Sequence, residues 1–458
     1  MTNNMPENSI LADKHQAFTI AASPAADTID TSDRSIPGLL RHYEYPVSVW
    51  PVIITPQQAR ELAELTIILP RLQARIPALY FNDDVQRLAD FYFGGNEQLT
   101  EFALLCHNKY VDIGCRLDLT LTADGFKVLE VNIGTSIGGW QVHSFEGLIR
   151  RLHAPLSDNS TAGDFESRNT QILYIKFLVD KILQYVSGVD AQVNVFIEVG
   201  NAQHEPSRKN ASAFFNDLLR RELKSRGLSG GAYVGPVDAL SIGEDGSVRL
   251  NDRTIHAVLA LGTDFGRLSP LLLRPFIMDK VYFPDHIGGV LQKNKANLAI
   301  LRTLAAAGKF SARENELVLA HIPWTEIVSD GEVAFEGRTC RLLPMLRANR
   351  AGFVIKAATG FQGKDVFVGK FMDDQSWEEA IMLALETKAF IVQEFSDSLD
   401  FSAPAPGSGW GPHKLIWGAF GFGDIYGGVW VRMSSQRTNT GVINSATGAV
   451  EAIVFESK

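Results

Sequence analysis

The residues best suited to chemistry lie in two short runs that a turn separates. The first run is RLDLTLT (116–122) and the second is KVLEVN (127–132). Both runs alternate apolar and polar residues with the period of two that is typical of half-buried strands, and Asp124 and Gly125 between them supply a turn. The segment is therefore predicted to form a β-hairpin.

Four polar side chains of this hairpin are predicted to share one face. With a three-residue loop whose glycine is left-handed, Asp118 lies opposite Glu130 and Arg116 opposite Asn132. Two carboxylates that face each other repel unless a cation lies between them. Their hard oxygen atoms suit Mg²⁺, which completes its shell with water and substrate phosphates. The alternative is a solvated hairpin face whose acids are balanced by Arg116 and Lys127.

A second chemical signal is the segment GFVIKAATGFQGKDVFVG (352–369). A predicted strand delivers Lys356, a loop containing Gly360 and Gly363 follows, and a second strand leaves from Lys364. Glycines allow backbone amides to approach phosphate oxygens closely, and a lysine at a strand end can neutralise them. The alternative is an ordinary hairpin whose glycines serve the turn.

Composition and charge narrow the functional classes. The chain has 458 residues, of which 45% are hydrophobic and 21% charged, which is ordinary for a globular protein with two or three domains. A formal net charge of -9 and the absence of a basic block argue against nucleic acid and anionic membranes as partners. The three cysteines have no metal or redox spacing, and no apolar run reaches membrane-span length. A cytoplasmic enzyme is expected, for which a homodimer is possible.

Alternating helical and strand patterns predict a mixed α+β and α/β fold. Residues 1–37 lack a lasting period and are expected to form a disordered or loosely packed arm. A βαβ-like order suggests a small open α/β domain at 165–290. Helices are predicted at 55–70, 83–93, 97–106, 168–186, 208–226 and 374–387, and in the segment KNKANLAILRTLAAAG, which ends near Gly308. In the last quarter of the chain, strands are predicted at 352–357, 364–369, 389–395, 414–421, 426–434 and 440–454.

The string GCRLDLTLTADGFKVLEVNIGTS (114–136) resembles the metal-binding hairpin of circularly permuted ATP-grasp ligases, in particular the synthetase domain of glutathionylspermidine synthase. The resemblance implies that Asp118, Glu130 and Asn132 hold Mg²⁺, for which Mn²⁺ is a possible substitute. It also implies that Arg116 contacts the reacting phosphoryl group.

The Lys356 segment resembles the lid of the same family, which covers the phosphates of ATP. By this resemblance the nucleotide is bound by a strand lysine, a loop and a hinge that reads adenine and ribose: Lys356, Gly360, Gln362, Gly363, Gln393, Glu394 and Phe395. Lys295, at the start of the preceding helix, is placed as a further phosphate ligand, for which Lys293 and Lys309 are rivals.

Near the C-terminal end, a predicted strand brings out Arg432. Permuted ATP-grasp ligases carry an arginine on the corresponding strand, so Arg432 and Arg116 would form a charged clamp on a phosphoryl group. Arg437 on the following loop is a rival.

The order of these parts implies a circularly permuted ATP-grasp fold, because the metal hairpin precedes the lid. The expected divisions are 38–164 for helices and the metal hairpin, 165–290 for a small pre-ATP-grasp-like domain, and 291–458 for the lid and remaining core strands. The loop after Asn132, Ile133-Gly134-Thr135-Ser136, departs from glutathionylspermidine synthases because it lacks the acidic residue and the proline of that family. These two residues are expected to contact the substrate, whose identity the resemblance does not supply.

The expected function is an ATP- and Mg²⁺-dependent carboxylate-amine ligase that acts through an acyl-phosphate on small molecules. Such a site works mainly by positioning substrates and neutralising charge. Two alternatives use the same residues: a phosphotransferase that stops after phosphorylation, and a nucleotide-binding partner protein without turnover.

Overall fold

A computed structural model describes residues 27–110, 114–158, 161–200, 205–261, 265–360, 365–405, 409–435 and 442–458. The predicted loop residues Gln362 and Gly363 and the rival Arg437 lie outside these ranges. No helix in the described part of the chain is long and apolar enough to cross a membrane.

The seven predicted helices are present with similar bounds, and the described part of the chain contains seven further α-helices that were not predicted. In chain order they are α1 Pro56–Ala74, α2 Ile76–Phe81, α3 Val85–Tyr92, α4 Glu97–Lys109, α5 Glu146–Leu152, α6 Ala154–Ser157, α7 Thr170–Tyr185, α8 Glu205–Ser225, α9 Phe265–Ile277, α10 Val290–Lys293, α11 Asn297–Ala306, α12 Ala312–His321, α13 Leu342–Ala348 and α14 Asp374–Thr387. The helices that were not predicted are α2, α5, α6, α9, α10, α12 and α13. Lys295 precedes α11 by two residues, so the prediction that it opens this helix is wrong by that margin.

The strands form several separate sheets. In chain order they are β1 Val52–Ile54, β2 Gly114–Thr122, β3 Gly125–Ile133, β4 Phe165–Glu166, β5 Gln192–Glu198, β6 Ser229–Gly235, β7 Ser241–Ile242, β8 Val248–Leu250, β9 Arg253–Ile255, β10 Ala257–Ala260, β11 Thr325–Ile327, β12 Glu332–Phe335, β13 Arg338–Arg341, β14 Phe353–Ala357, β15 Val366–Val368, β16 Phe390–Glu394, β17 Phe401–Ala405, β18 Gly409–Phe422, β19 Ile425–Ser435 and β20 Val450–Ser457. The strand predicted at 440–454 therefore begins later and ends later than expected.

The large sheet joins the early hairpin to the last strands of the chain. Its order is β1-β20-β19-β18-β2-β3, with β4 pairing with β20 and β17 with β18. One face packs against α1, where Leu117, Leu119 and Val431 meet Leu65 and Leu69 in a common core. The opposite face carries the charged residues, because successive side chains of a strand point to opposite sides.

The hairpin has the predicted pairing, although it reaches that pairing by another route. Asp118 pairs with Glu130 and Arg116 with Asn132, while Thr122 pairs with Gly125 across a two-residue turn rather than a three-residue loop. A bulge at Leu129 restores the register, since the pairing shifts by one residue after Asp118.

The change of phase caused by the bulge is visible in the burial of β3. Phe126 and Val128 are buried before it, and Val131 and Ile133 are buried after it. A ladder without the bulge would turn Glu130 toward the apolar core. The extra residue therefore places the carboxylate of Glu130 on the charged face.

Helix α1 shows how local sequence chemistry sets the packing of this sheet. Thr55 and Gln58 form a complete capping box, with Pro56 at the first turn. Pro70 neither ends nor breaks the helix, which continues to Ala74. Because proline has no N–H for the carbonyl one turn earlier, the Thr66 carbonyl is left to accept from the Cys115 thiol of β2, 3.6 Å away.

The small α/β unit predicted from the βαβ-like pattern contains a parallel sheet in the order β10-β5-β6. Ile175, Leu178 and Ile182 of α7 pack into its core, as their spacing predicts. Ile172, which has the same helical spacing and would be expected on the same apolar stripe, is 43% exposed in the first turn of the helix.

A separate antiparallel sheet carries Lys356 and Gln393, which are predicted from the sequence to belong to a nucleotide lid and hinge. Its order is β11-β16-β14-β15, and Lys356 lies on β14 between β15 and β16. Helix α14 covers this sheet through Trp377 and Ile381, which are buried. Within the predicted N-terminal arm, Ile36 is buried in a hydrophobic cluster that also contains Ile453 and Phe455 of β20.

Replacing Gly421 with alanine should destabilise the junction between α1 and the large sheet. A Cβ atom there would lie 2.5 Å from the Thr66 carbonyl oxygen and 3.1 Å from Cys115 Sγ. Overpacking of this kind costs ~1–3 kcal/mol. Gly411→Ala in the same strand is the control, since a Cβ atom there meets nothing within 4 Å. Equal unfolding free energies of the two variants in urea would contradict this packing.

Candidate functional site

The centre of the charged face is the buried carboxylate of Asp118. Arg116 donates to both of its oxygens, from Nε at 2.6 Å and from a terminal nitrogen at 3.0 Å, and Arg432 donates to the second oxygen at 2.8 Å. The three side chains are only 10–13% exposed. We call Arg116, Asp118 and Arg432 the Asp118 cluster.

Two opposing influences act on the protonation of Asp118. Burial, the largest single influence, favours the neutral acid, but the charges and hydrogen bonds of Arg116 and Arg432 together outweigh it and lower the pKa of this carboxyl below its usual value. Asp118 is therefore a permanent anion at neutral pH. The two arginines approach it from different strands, since Arg116 lies on β2 and Arg432 on β19.

The loop after β3 orients Arg116. The Gly138 carbonyl accepts from a terminal nitrogen of Arg116 at 2.8 Å. This loop is tied to the small parallel sheet by Asp285, whose carboxylate accepts from the Thr135 backbone N–H at 3.0 Å, from the Thr135 hydroxyl, and from the Ala260 backbone N–H at 3.1 Å. Asp285 was not identified from the sequence, where a single aspartate in a turn gives no signal.

Thr135 and Ser136 differ in their availability for substrate. The Thr135 hydroxyl is occupied by Asp285, so this side chain fixes the loop in the present structure. Ser136 is exposed. Substrate contact by either residue stays a prediction.

A second group of charged residues adjoins the first through the Asp118–Glu130 pair. Lys356 Nζ donates to the Gln393 side-chain oxygen at 2.6 Å and to the Leu129 carbonyl, at the bulge, at 3.3 Å. Lys295 Nζ lies 3.2 Å from Glu130 Oε1. We call Glu130, Lys295, Lys356 and Gln393 the Lys356 cluster.

Burial lowers the pKa of Lys356 to about 8. The charges of Glu130 and Asp118 favour the protonated form and that of Lys295 opposes it. The effect of burial on the pKa is larger than that of any of these charges. The pKa of this ammonium group is therefore close to neutral pH, so a small change in its surroundings can change its protonation state.

Lys295 connects the hairpin to the loop that follows β14. Besides its contact with Glu130, the ammonium group donates to the Gly360 carbonyl at 3.0 Å, and the backbone N–H of Lys295 donates to the Ala358 carbonyl at 2.9 Å. Of the rivals for its predicted role, Lys309 is exposed. Lys293 lies near Gly134, where its ammonium nitrogen is 3.3 Å from the position of an added Cβ atom.

The predicted nucleotide hinge has mixed accessibility. Gln393 is buried, with its amide oxygen on Lys356 and its amide nitrogen donating to the Thr325 hydroxyl at 3.1 Å. The Glu394 backbone N–H donates to the Trp324 carbonyl and that of Phe395 to the Gly352 carbonyl. The Glu394 side chain is exposed. Adenine recognition by these residues stays a prediction.

Glu451 extends the charged face beyond Arg432, to which it lies directly opposite on β20. Its carboxylate accepts from the Tyr43 hydroxyl at 3.0 Å and from the Ser445 hydroxyl at 2.6 Å. Burial raises the pKa of Glu451 against these hydrogen bonds. Glu451 was not identified from the sequence, where it is one of two acidic residues in a largely apolar strand.

The charges of the two clusters favour an anionic ligand. Their four cations outnumber the two carboxylates between them, and the groups are largely withdrawn from water, where charge interactions are stronger. Guanidinium and ammonium groups are the usual partners of phosphate and carboxylate oxygens. The arrangement can therefore hold an anion of more than one charge.

The hairpin also offers ligands that fit Mg²⁺ in kind. Asp118 and Glu130 face each other on neighbouring strands. The amide nitrogen of Asn132 donates to the Arg116 carbonyl at 3.4 Å, and this hydrogen bond does not involve the amide oxygen of Asn132. Arg116 and Lys295 neutralise the two carboxylates in this structure. Among the described residues there is no group of three or more His, Cys, Asp or Glu side chains suited to a metal.

Comparisons with known proteins give little further guidance. No protein-family model matches the chain, and no curated protein matches it. A solved structure named "Putative gamma-glutamylcysteine synthetase" from Methylobacillus flagellatus KT is 10% identical with a TM-score of 0.41, and the match covers 85% of this chain and 88% of that one. D-alanyl-alanine synthetase A from Vibrio cholerae O1 biovar eltor str. N16961 is 10% identical with a TM-score of 0.26, over 50% of this chain and 68% of that one. At these TM-scores the similarities establish neither family nor fold.

The lowered pKa of Lys356 makes a testable prediction about stability. The folded protein releases this proton near pH 8, whereas an unfolded lysine keeps it until about pH 10.5. Between those values the unfolded chain binds more protons, so stability rises with pH. Relative to Lys356→Met, wild-type unfolding free energy in urea should gain ~3 kcal/mol across this range.

The control for this measurement is Lys209→Met, since the Lys209 side chain is 76% exposed. Its unfolding free energy should follow that of the wild type at every pH. Parallel pH curves for wild type and Lys356→Met would show that the Lys356 ammonium titrates normally.

Proposed function

We propose that this protein is an ATP- and Mg²⁺-dependent ligase that joins a small-molecule carboxylate to an amine. The observation that carries the proposal is the juxtaposition of two opposed carboxylates, the buried Asp118 and the half-buried Glu130, with four cations on four segments: β2, β14, β19 and the loop before α11. A site of this composition suits a reaction in which negative charge moves between phosphate and carboxylate oxygens.

The proposed chemistry has two steps. A carboxylate oxygen of the first substrate attacks the γ-phosphorus of ATP, the bond to the β–γ bridging oxygen breaks, and ADP leaves. The amine then attacks the acyl carbon of the resulting acyl-phosphate, inorganic phosphate leaves, and the nitrogen loses a proton. The product is an amide or peptide bond.

The residues divide these tasks by position. Lys295 and Lys356, next to the loop at Gly360, are proposed to bind the phosphates of ATP. Arg116 and Arg432 are proposed to neutralise the transferring phosphoryl group. Asp118, Glu130 and Asn132 would hold Mg²⁺, which supplies charge neutralisation between phosphate oxygens when it is bound.

Ligand binding would require an exchange of partners in the two clusters. In the present structure Arg116 and Lys295 occupy the carboxylates that the metal would take. Replacing these contacts by a divalent ion would free the two cations for phosphate oxygens. This exchange keeps both carboxylates paired throughout, which for the buried Asp118 avoids the cost of an uncompensated charge.

The Mg²⁺ assignment predicts that Glu130→Gln abolishes turnover while leaving the fold intact. The amide keeps the shape of the side chain but removes the charge that a metal ligand needs. Loss of one such charge contact lowers kcat by ~10²-fold or more. The assay is ADP release at saturating Mg²⁺, with thermal unfolding as the test of the fold. Glu332→Gln, at an exposed strand position, is the control; wild-type turnover in Glu130→Gln would overturn the assignment.

Isotope transfer tests the reaction itself. A screen of ADP release over amino acids, peptides and polyamines, with mass spectrometry of the products, first identifies the substrates. With an ¹⁸O-labelled carboxylate, a ligase of this mechanism must place one labelled oxygen in the released phosphate. Arg432→Ala should lower kcat more than it raises KM for ATP, because the arginine acts on developing charge. Arg347→Ala, an exposed surface pair with Glu378, is the control.

Each other outcome has a defined meaning. Amide product with unlabelled phosphate would exclude the acyl-phosphate. ADP release that needs the carboxylate but no amine would identify a phosphotransferase. Nucleotide binding without ADP release under any condition would identify a binding protein.

A further inference from the structure

Two buried N–H groups on β19, the indole N–H of Trp430 and the Nε–H of Arg432, take no part in the contacts described above, in which Arg432 uses a terminal nitrogen. Trp430 and Arg432 are 5% and 9% exposed, and they point to the same face because they are two residues apart on one strand. Neither Trp430 Nε1 nor Arg432 Nε has a hydrogen-bond partner in the described part of the chain. Leaving a buried donor unpaired costs ~1–3 kcal/mol.

Two glycines hold the Trp430 indole beside Asp118. A Cβ atom added to Gly418 would lie 2.2 Å from Trp430 Nε1, and one added to Gly139 would lie 2.1 Å from the same nitrogen. Gly418 pairs with Asp118 on one side and with Trp430 on the other. The Nε1 atom of the indole therefore lies over Gly418, the residue that pairs with Asp118.

The two groups select the chemistry of their ligand. Indole and guanidinium nitrogens only donate hydrogen bonds, so the ligand must present acceptor oxygens. The surrounding excess of positive charge requires these oxygens to be anionic. The phosphates of ATP are already assigned to Lys295 and Lys356, on the far side of Asp118.

We propose that Trp430 Nε1 and Arg432 Nε form the subsite for the carboxylate group of the substrate that becomes phosphorylated. This inference rests on the proposed ligase function and adds to it the position of the carboxylate and a specificity-determining residue, Trp430. The carboxylate would then lie between this donor pair and the transferring phosphoryl group.

The chain offers a matched control for Trp430. Trp417 Nε1 is also buried without a partner among the described residues. Its ring, however, lies on the opposite face of the sheet, in the core with α1, 5.3 Å from the ring of Phe126. Replacing either tryptophan with phenylalanine removes one buried indole N–H, but only Trp430→Phe removes it from the site.

The direct test is the indole ¹H–¹⁵N NMR spectrum of the ¹⁵N-tryptophan-labelled protein. Trp430→Phe and Trp417→Phe assign the two resonances by their loss. Acetate, as a minimal carboxylate probe, should shift the Trp430 signal downfield and saturably, while the Trp417 signal stays in place and chloride at equal ionic strength has no effect. No saturable shift, equal shifts of both signals, or a response to inorganic phosphate but not acetate would overturn the subsite.

A kinetic test separates this inference from the function on which it rests. With the substrates found by ADP release, Trp430→Phe should raise KM for the carboxylate about 10- to 100-fold, as expected for one hydrogen bond to a charged group, and leave KM for ATP unchanged. Trp417→Phe should change neither. Turnover with an unchanged KM for the carboxylate in Trp430→Phe would overturn the subsite alone, whereas absence of ADP release in the wild type would overturn the ligase.

Discussion

The buried ion cluster around Asp118 is the interaction on which the rest of the site depends. One carboxylate satisfies two arginines from different strands, and each partner would be a costly buried charge without the others. The cluster therefore links β2 to β19 across β18, which lies between them in the large sheet. It also sets the position of Glu130, and through Glu130 that of Lys295 and the loop after β14.

Much of this arrangement could be predicted from residue patterns. The capping box of α1, the limits of α14 and the pairing of Asp118 with Glu130 all follow from local rules, and the structure contains them. The predicted three-residue loop was wrong because the two-residue turn is compensated by a bulge. The phase change between Val128 and Val131 carried that information, since the apolar residues move from even to odd positions.

Other features have no local signal. Asp285 and Gly138 act on the site through contacts with residues that are distant in sequence, and a sequence pattern does not show which turn will meet which loop. Trp430 could not be recognised from the sequence for a different reason. An aromatic residue in an apolar strand is what a hydrophobic core is expected to contain. Its unpaired nitrogen becomes apparent only when the two glycines that accommodate the ring are brought together.

The pairing of β2 with β18 has a consequence for biosynthesis. Asp118 and Arg432 are 314 residues apart. At the usual rate of translation, the ribosome needs on the order of tens of seconds to make the intervening chain. During that time the edge of β2 that later pairs with β18 is open, and such edges invite association with other chains. The nascent protein must therefore keep its hairpin shielded, by its own helices or by a chaperone, until the last strands emerge.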